Sequence, residues 1–194
     1  MNKALYYLLL VGVFLCCEPS IVSPRKYIQL VEERLVIAQN DQRLRYELQY
    51  QPSEYRALHT LDQEQMNEMY FTKELRHLEG HQYFRFRVMT LDGLPIKELL
   101  GAEEVINSLR FRIQKDFVLR YGAESYPCVL YHLQDSGIST DQLEFMCVFK
   151  MPIEAANPLH SDLVFRCKNE NISTTPIDFV IEKQLVNQLP SIRL

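Results

Sequence analysis

The sequence predicts a mainly β domain with one or two helices (α+β), in the form of an antiparallel β-sandwich-like fold. Seven or eight short stretches alternate apolar and polar residues, and turn residues separate them. Strands and helices do not alternate regularly, which argues against a parallel α/β fold. A hydrophobic fraction of 47% with nine prolines and six glycines is typical of a globular chain.

The N-terminal segment predicts export. Met1-Asn2-Lys3 precedes an uncharged run from Ala4 to Cys17, and the polar residues Glu18-Pro19-Ser20 follow it. A basic start, an apolar run and a polar zone are the parts of a secretory signal peptide. The run is shorter than the ~20 apolar residues of a membrane-spanning helix, so a signal peptide is favoured over an anchor helix. Instead of an alanine-based cleavage site, the run ends in two cysteines.

The segment Phe14-Leu15-Cys16-Cys17 resembles the signal of a bacterial lipoprotein, in which a cysteine that closes the apolar run becomes the first mature residue and carries the lipid. In this frame the small residue Cys16 precedes the modified Cys17. The resemblance covers the N-terminal tenth of the chain. It implies a signal peptide over residues 1–16, acyl chains such as palmitate on Cys17, and a location in the cell envelope facing the periplasm or the cell surface. The alternative is that both cysteines are incidental residues of a secreted or anchored protein.

Residues 17–26 are expected to form the lipidated cysteine and a flexible tether, because this stretch contains two prolines and two serines without an amphipathic period. A single β-rich domain over residues 27–194 follows. Its first residues, 27–38, fit both helical and strand spacing, and the pattern leaves both open.

Alternation predicts strands over residues 43–50 and 81–91. Between them, Ser53 is expected to cap a short helical turn through Leu58. A longer helix is predicted from Asp62, which has Gln65 three residues on in a capping-box arrangement, to Gly80, which suits the left-handed position after a helix end. Residues 96–109 look helical, and a change from helix to strand is expected near Leu109.

The C-terminal third predicts a hairpin and two more strands. The runs 127–134 and 143–151 flank a polar connector over residues 135–141, and residues 162–168 and 177–183 alternate again. A symmetric hairpin places Cys128 directly opposite Cys147, at a distance that suits a disulfide in an oxidising compartment. The alternative is that Cys128, Cys147 and Cys167 are all small buried apolar residues.

The pattern Arg-x-Arg occurs three times, and in a strand both arginines of a pair face the same side. On neighbouring strands they would form a patch that binds anionic groups of a glycan or lipid, since arginine presents paired donors to such anions. The alternative is ordinary strand arginines paired with Asp or Glu across the sheet. The six candidates are Arg43, Arg45, Arg85, Arg87, Arg110 and Arg112.

No motif of known chemistry is found. Removing the signal takes away one lysine and leaves 20 basic against 25 acidic residues, a balance that excludes a strongly basic nucleic-acid binder. There is no G-x-S-x-G, P-loop or G-x-G-x-x-G sequence, and no cofactor or metal set is predicted, because Gly80 separates His77 from His81. The sequence therefore favours an envelope lipoprotein that binds a ligand or supports an assembly of envelope proteins, with a small envelope hydrolase as the alternative.

Overall fold

The α+β fold with mainly antiparallel strands is confirmed by the computed structural model, which describes residues 21–101, 103–134, 141–156 and 158–194. Ten strands are described: β1 Ile21–Val22, β2 Val36–Asn40, β3 Leu44–Gln51, β4 His81–Thr90, β5 Phe117–Tyr121, β6 Glu124–Gln134, β7 Gln142–Lys150, β8 Leu163–Cys167, β9 Ile177–Ile181 and β10 Ser191–Ile192. The helices of the described residues are more numerous than the one or two expected. They are α1 Pro24–Arg34, α2 Ser53–Thr60, α3 Glu68–Leu78, α4 Ile96–Leu100, α5 Glu103–Phe111, α6 Ile153–Ala156 and α7 Lys183–Asn187.

Eight strands form one continuous antiparallel sheet in the order β2-β3-β4-β7-β6-β5-β8-β9. Strand β6 is the corner of this sheet. Its first residues pair with β5, and its remaining residues pair with β7 beyond a register shift between Cys128 and Leu130. A bulge of this kind lets one strand take part in two packed layers, as in orthogonal sandwiches.

The two halves of the sheet face each other across a core of phenylalanines. Phe86 of β4 contacts Phe165 of β8 and Phe179 of β9, with ring centroids 5.6 and 6.1 Å apart. At the open edge, the Gln39 side chain of β2 donates to the backbone carbonyl of Asp178 in β9 at 3.0 Å. The predicted alternation produces this core, because the apolar residues of β3, β4, β8 and β9 are the buried ones.

Among the described residues, regular secondary structure is already present before the predicted boundary near residue 27. Ile21 and Val22 pair in parallel with Ser191 and Ile192, and the backbone N–H of Arg193 donates to the Val22 carbonyl. The helix that follows starts at residue 24, a proline, where the missing N–H costs nothing. Residues 21–26 are therefore part of the domain and not of a flexible tether. Residues 27–38, for which the sequence left helix and strand open, contain most of α1 and the first residues of β2.

The capping-box prediction for Asp62 is wrong. Asp62 accepts a hydrogen bond from the Gln65 backbone N–H within a turn, and α3 starts later with Asn67 as its cap. Asn67 accepts from the backbone N–H of Tyr70 at 3.2 Å. Gly80 does adopt the predicted left-handed conformation, with φ of 73°. Ser53 begins α2 but forms no side-chain cap.

The expected change from helix to strand near Leu109 is also wrong. Helix α5 continues to Phe111, a 3-10 turn covers Ile113–Asp116, and β5 begins only at Phe117. The helical spacing of the apolar residues prevails up to Ile113, which is fully buried.

Candidate functional site

A pocket of about 740 Å³ opens at the end of the domain where β10 lies. Its walls come from α2, α3 and the C-terminal segment that includes Ser191 and Ile192. The volume lies within the roughly 300–1,000 Å³ of small-molecule sites. Strand β10, whose Ser191 and Ile192 line the pocket, pairs with β1.

The floor combines aromatic rings with hydroxyl groups. Tyr27 and Tyr50 are both buried, and the Tyr50 hydroxyl donates to Gln82 Oε1 at 2.6 Å. The Glu54 carboxylate lies close enough to the Tyr27 hydroxyl to act on it electrostatically. Burial, together with the nearby charge of Glu54, raises the pKa of both tyrosines well above 10, so they stay protonated.

The exposed end of the pocket is polar and carries charges of both signs. Thr72, Arg76 and Glu79 from α3 and the end of that helix lie there. Asn187 also lines the pocket, but its side-chain amide is already hydrogen-bonded within the protein. It accepts from the backbone N–H of Leu159 and donates to the carbonyl of the same residue. With two carboxylates, those of Glu54 and Glu79, against one guanidinium, the lining suits an uncharged or cationic amphiphile better than an anion.

The pocket offers little for hydrolysis. Ser53 supplies a hydroxyl, but the described lining residues include no histidine or cysteine to serve as a base or a nucleophile. The Glu54 carboxylate and the tyrosine hydroxyl oxygens can accept hydrogen bonds from a ligand.

The arginine patch takes a different form from the predicted one. Arg87 lies between Glu47 of β3 and Glu144 of β7 in one row across three strands, and forms ion pairs with both. Arg45 also approaches Glu47, at 3.6 Å. Arg87 therefore has the cross-strand carboxylate partners that the alternative interpretation expected, and Arg45 has a partner two residues away on its own strand.

The remaining arginines of the predicted patch are scattered. Arg43 precedes β3 and is exposed, while Arg110 lies on α5 and Arg112 follows that helix. The expectation that Arg110 and Arg112 lie on a strand is therefore wrong, because the helical spacing continues past Leu109. Six guanidiniums do not form one strand surface.

Arg85 differs from the others because its Nε is buried and makes no hydrogen bond to any described residue. It lies opposite Gln49 on β3, whose Nε2 is also buried and unpaired. Helix α2 covers this part of the sheet and adds Arg56, whose buried Nε is likewise unpaired. Three unpaired donors therefore lie beneath α2, on the face of the sheet opposite the phenylalanine core. We call Gln49, Arg56 and Arg85 the donor cluster.

The cysteine pairing across the hairpin differs from the symmetric register. Cys128 lies opposite Phe149, and Cys147 lies opposite Tyr131, because the bulge after Cys128 shifts the register. Both thiols are buried and free, and they remain neighbours: a hydrogen bond to Cys147 is the main cause that lowers the Cys128 pKa. Burial raises the pKa of the Cys147 thiol. Cys167 is buried and free as well.

Cys17 and the signal segment lie outside the described residues, so the lipidation site has no structural description. Among the described residues, no helix combines the length and apolar character needed to cross a membrane. In the same part of the chain, no group of three or more metal-ligating side chains comes together. His77 lies on α3 and His81 starts β4, on either side of Gly80.

The comparisons with known proteins identify no family. No protein-family model and no curated protein matches the chain. Among solved structures, the chain is similar to a novel protein of unknown function from Burkholderia pseudomallei, with 13% identity over 88% of this chain and 94% of that one and a TM-score of 0.42. The site is therefore interpreted from its own residues.

Neither the pocket nor the donor cluster was predicted from the sequence. The pocket is lined by segments that lie far apart in the chain, from Tyr27 to Ile192, so no local spacing marks it. The sequence contains one sign of the donor cluster, because Gln49 and Gln51 are polar residues within a predicted strand or at its end. In the structure both side chains are buried.

Proposed function

We propose that this chain is a cell-envelope lipoprotein, anchored through Cys17, whose domain binds an amphiphilic small molecule in the pocket at the membrane-proximal end. The observation that carries the proposal is the position of the pocket beside β1. Ile21 is the fourth residue after Cys17, which limits the distance between their Cα atoms to about 14 Å even in a fully extended chain. A lipid on Cys17 therefore holds the rim formed by β1 and β10 next to the bilayer.

The lining supports an amphiphile as the ligand class. Tyr27, Tyr50 and Phe71 provide apolar ring surface, and Glu54 provides an acceptor within the same cavity. A molecule with an apolar body and a hydrogen-bond-donating head group satisfies both, as is typical of small-molecule sites. A location at the bilayer surface gives the pocket direct access to such molecules. A role in supporting envelope proteins rests on the same anchoring and has no separate structural observation.

The proposal is tested by native mass spectrometry of the chain purified from a bacterial envelope. A Thr72→Trp variant places a large ring in the pocket from an exposed position, whereas Lys73→Trp adds the same ring to an exposed neighbour outside the lining. The wild type and Lys73→Trp are expected to retain an amphiphile at one per chain, and Thr72→Trp is expected to lose it. A wild type without a bound molecule, or equal retention by Thr72→Trp, would contradict the proposal.

A further inference from the structure

Hydrogen bonds link two members of the donor cluster, Arg56 and Gln49, through Gln51. Arg56 Nη1 donates to Gln51 Oε1 at 3.4 Å, and Gln51 Nε2 donates to Gln49 Oε1 at 3.2 Å. The Arg56 guanidinium also lies over the ring of Tyr83, 5.4 Å from its centroid. These contacts fix the side chains in place, and the Nε of Arg56 and the Nε2 of Gln49 are left without acceptors among the described residues.

The donors come from adjacent positions on one surface. Gln49 and Arg85 are directly opposite each other on β3 and β4, so their side chains leave the same face of the sheet. Arg56 approaches from α2 above that face. Both arginines are near enough to His59 to act on it electrostatically.

Positive charge exceeds negative charge around His59. The charges that act on His59 are those of Arg56 and Arg85 against that of Glu32, and the Tyr55 hydroxyl donates to Glu32 at 3.3 Å. Glu74 acts on Tyr83 but not on His59 or Tyr55. The charges that act on His59 therefore sum to one positive charge.

Buried donors without an acceptor destabilise a fold, and charged ones do so most. Water can accept their hydrogen bonds but cannot neutralise the excess charge. A bound anion does both, and charge-assisted hydrogen bonds from arginine to an oxyanion are about twice as strong as neutral ones. The side of the cluster next to His59 and Thr60 is exposed, which leaves a route for a ligand from solvent.

We propose that Gln49, Arg56 and Arg85 form a binding site for a singly charged oxyanion, the carboxylate of an acidic sugar or the phosphate diester of a lipid head group. This site is separate from the pocket, and it stands whether or not the pocket binds an amphiphile. Of the six arginines that the sequence predicts in an anion-binding patch, only Arg85 belongs to this site. Gln49 and Arg56 are additional residues that the sequence pattern did not mark.

The test is a titration of the purified full chain with acetate, and separately with diethyl phosphate, followed by the NMR signals of His59. In the free protein, burial lowers the pKa of His59, and Arg56 and Arg85 lower it further against the opposing effect of Glu32. An anion bound beside the two arginines is expected to raise the His59 pKa in a saturable way. A His59→Gln variant assigns the signal, and acetamide serves as the uncharged control.

Two matched variants make the result specific. Arg85→Gln removes a cluster arginine and is expected to weaken binding by at least about tenfold, the loss of one charge-assisted hydrogen bond. Arg87→Gln, two residues along the same strand face, removes an arginine already paired with carboxylates and is expected to leave binding unchanged. The Arg85→Gln protein without ligand is expected to unfold at the same temperature as the wild type or higher, because it loses a buried unpaired donor.

Four outcomes would overturn the proposal: no saturable effect of either anion on His59, an equal effect of acetamide, unchanged binding in Arg85→Gln, or equal losses in the two variants. The source of the anion is tested by a further titration with detergent micelles that contain phosphatidylglycerol. Tighter binding to these micelles than to diethyl phosphate indicates a lipid head group, and no gain indicates a free anion or an acidic sugar.

Discussion

Replacement of Phe165 by alanine is expected to remove much of the stability of the domain. Phe165 is 0% exposed and lies at the centre of the packed core. Its ring centroid lies 5.5–6.5 Å from those of five others, Phe84, Phe86, Phe117, Phe149 and Phe179. A buried phenylalanine replaced by alanine typically costs 3–5 kcal/mol, and five lost aromatic contacts place this substitution near 5 kcal/mol.

The assay is urea unfolding followed by circular dichroism, with Phe111→Ala as the control. Phe111 is 76% exposed, so the same substitution there should change the free energy of unfolding by no more than about 0.5 kcal/mol. For a slope near 2 kcal/mol/M, the Phe165 variant should lose about 2.5 M in its midpoint. If Phe165→Ala does not fold, the milder Phe165→Leu provides the comparison. A loss below about 2 kcal/mol for Phe165→Ala, or equal losses at the two sites, would refute a core formed by the two facing halves of the sheet.

Three further predictions concern charge, backbone conformation and thiols. The Arg166 guanidinium lowers the pKa of Asp178, so this pair stabilises the fold at neutral pH and its contribution is lost as the pH falls through the folded-state pKa. Asp178→Asn should therefore cost about 0.5–1 kcal/mol at pH 7, and this difference from the wild type should shrink on acidification in urea unfolding. Gly80→Ala should destabilise more than Gly93→Ala, since both glycines have φ of 73° but only the first would place a Cβ 3.2 Å from the Met151 carbonyl oxygen. We expect about 1–2 kcal/mol for the strain alone, measured by thermal unfolding, and an equal loss at both sites would contradict the contact. The three buried cysteines should all react with a thiol reagent in denatured, unreduced protein, and two fewer thiols would reveal a disulfide.

The strands of the core could be predicted from sequence because alternation directly reports which face is buried. In β4 the apolar Phe84, Phe86 and Val88 are buried, and the residues between them are half-buried. The same logic failed where two periods coincide. Leu109 and Ile113 satisfy both helical and strand spacing, and the choice depends on packing that a local pattern does not contain.

The hairpin register could not be predicted for a related reason. A symmetric turn places Cys128 opposite Cys147, but the extra residue of the bulge shifts the pairing after Cys128. The bulge lies where β6 turns from one layer to the other, so it depends on the whole sheet. A local count along the hairpin therefore gives the right strands with the wrong partners.

The candidate sites depend even more on tertiary structure. The donor cluster forms where β3, β4 and α2 meet, and the pocket forms where residues between Tyr27 and Ile192 come together. Arg85 and Arg87 are equivalent in the sequence pattern. Arg87 has two carboxylate partners, whereas the Nε of Arg85 makes no hydrogen bond to any described residue. Only the residues on neighbouring strands distinguish them.

The claim on which the proposed function depends most is that Cys17 anchors the domain to the membrane. The direct measurement is the intact mass of the protein expressed in a bacterial envelope, for the wild type and for Cys16→Ser and Cys17→Ser. The account predicts a mature chain that begins at Cys17 and carries a diacylglycerol and an acyl chain in the wild type and in Cys16→Ser, and no lipid in Cys17→Ser. An unmodified wild-type mass, or a lipidated Cys17→Ser protein, would contradict it.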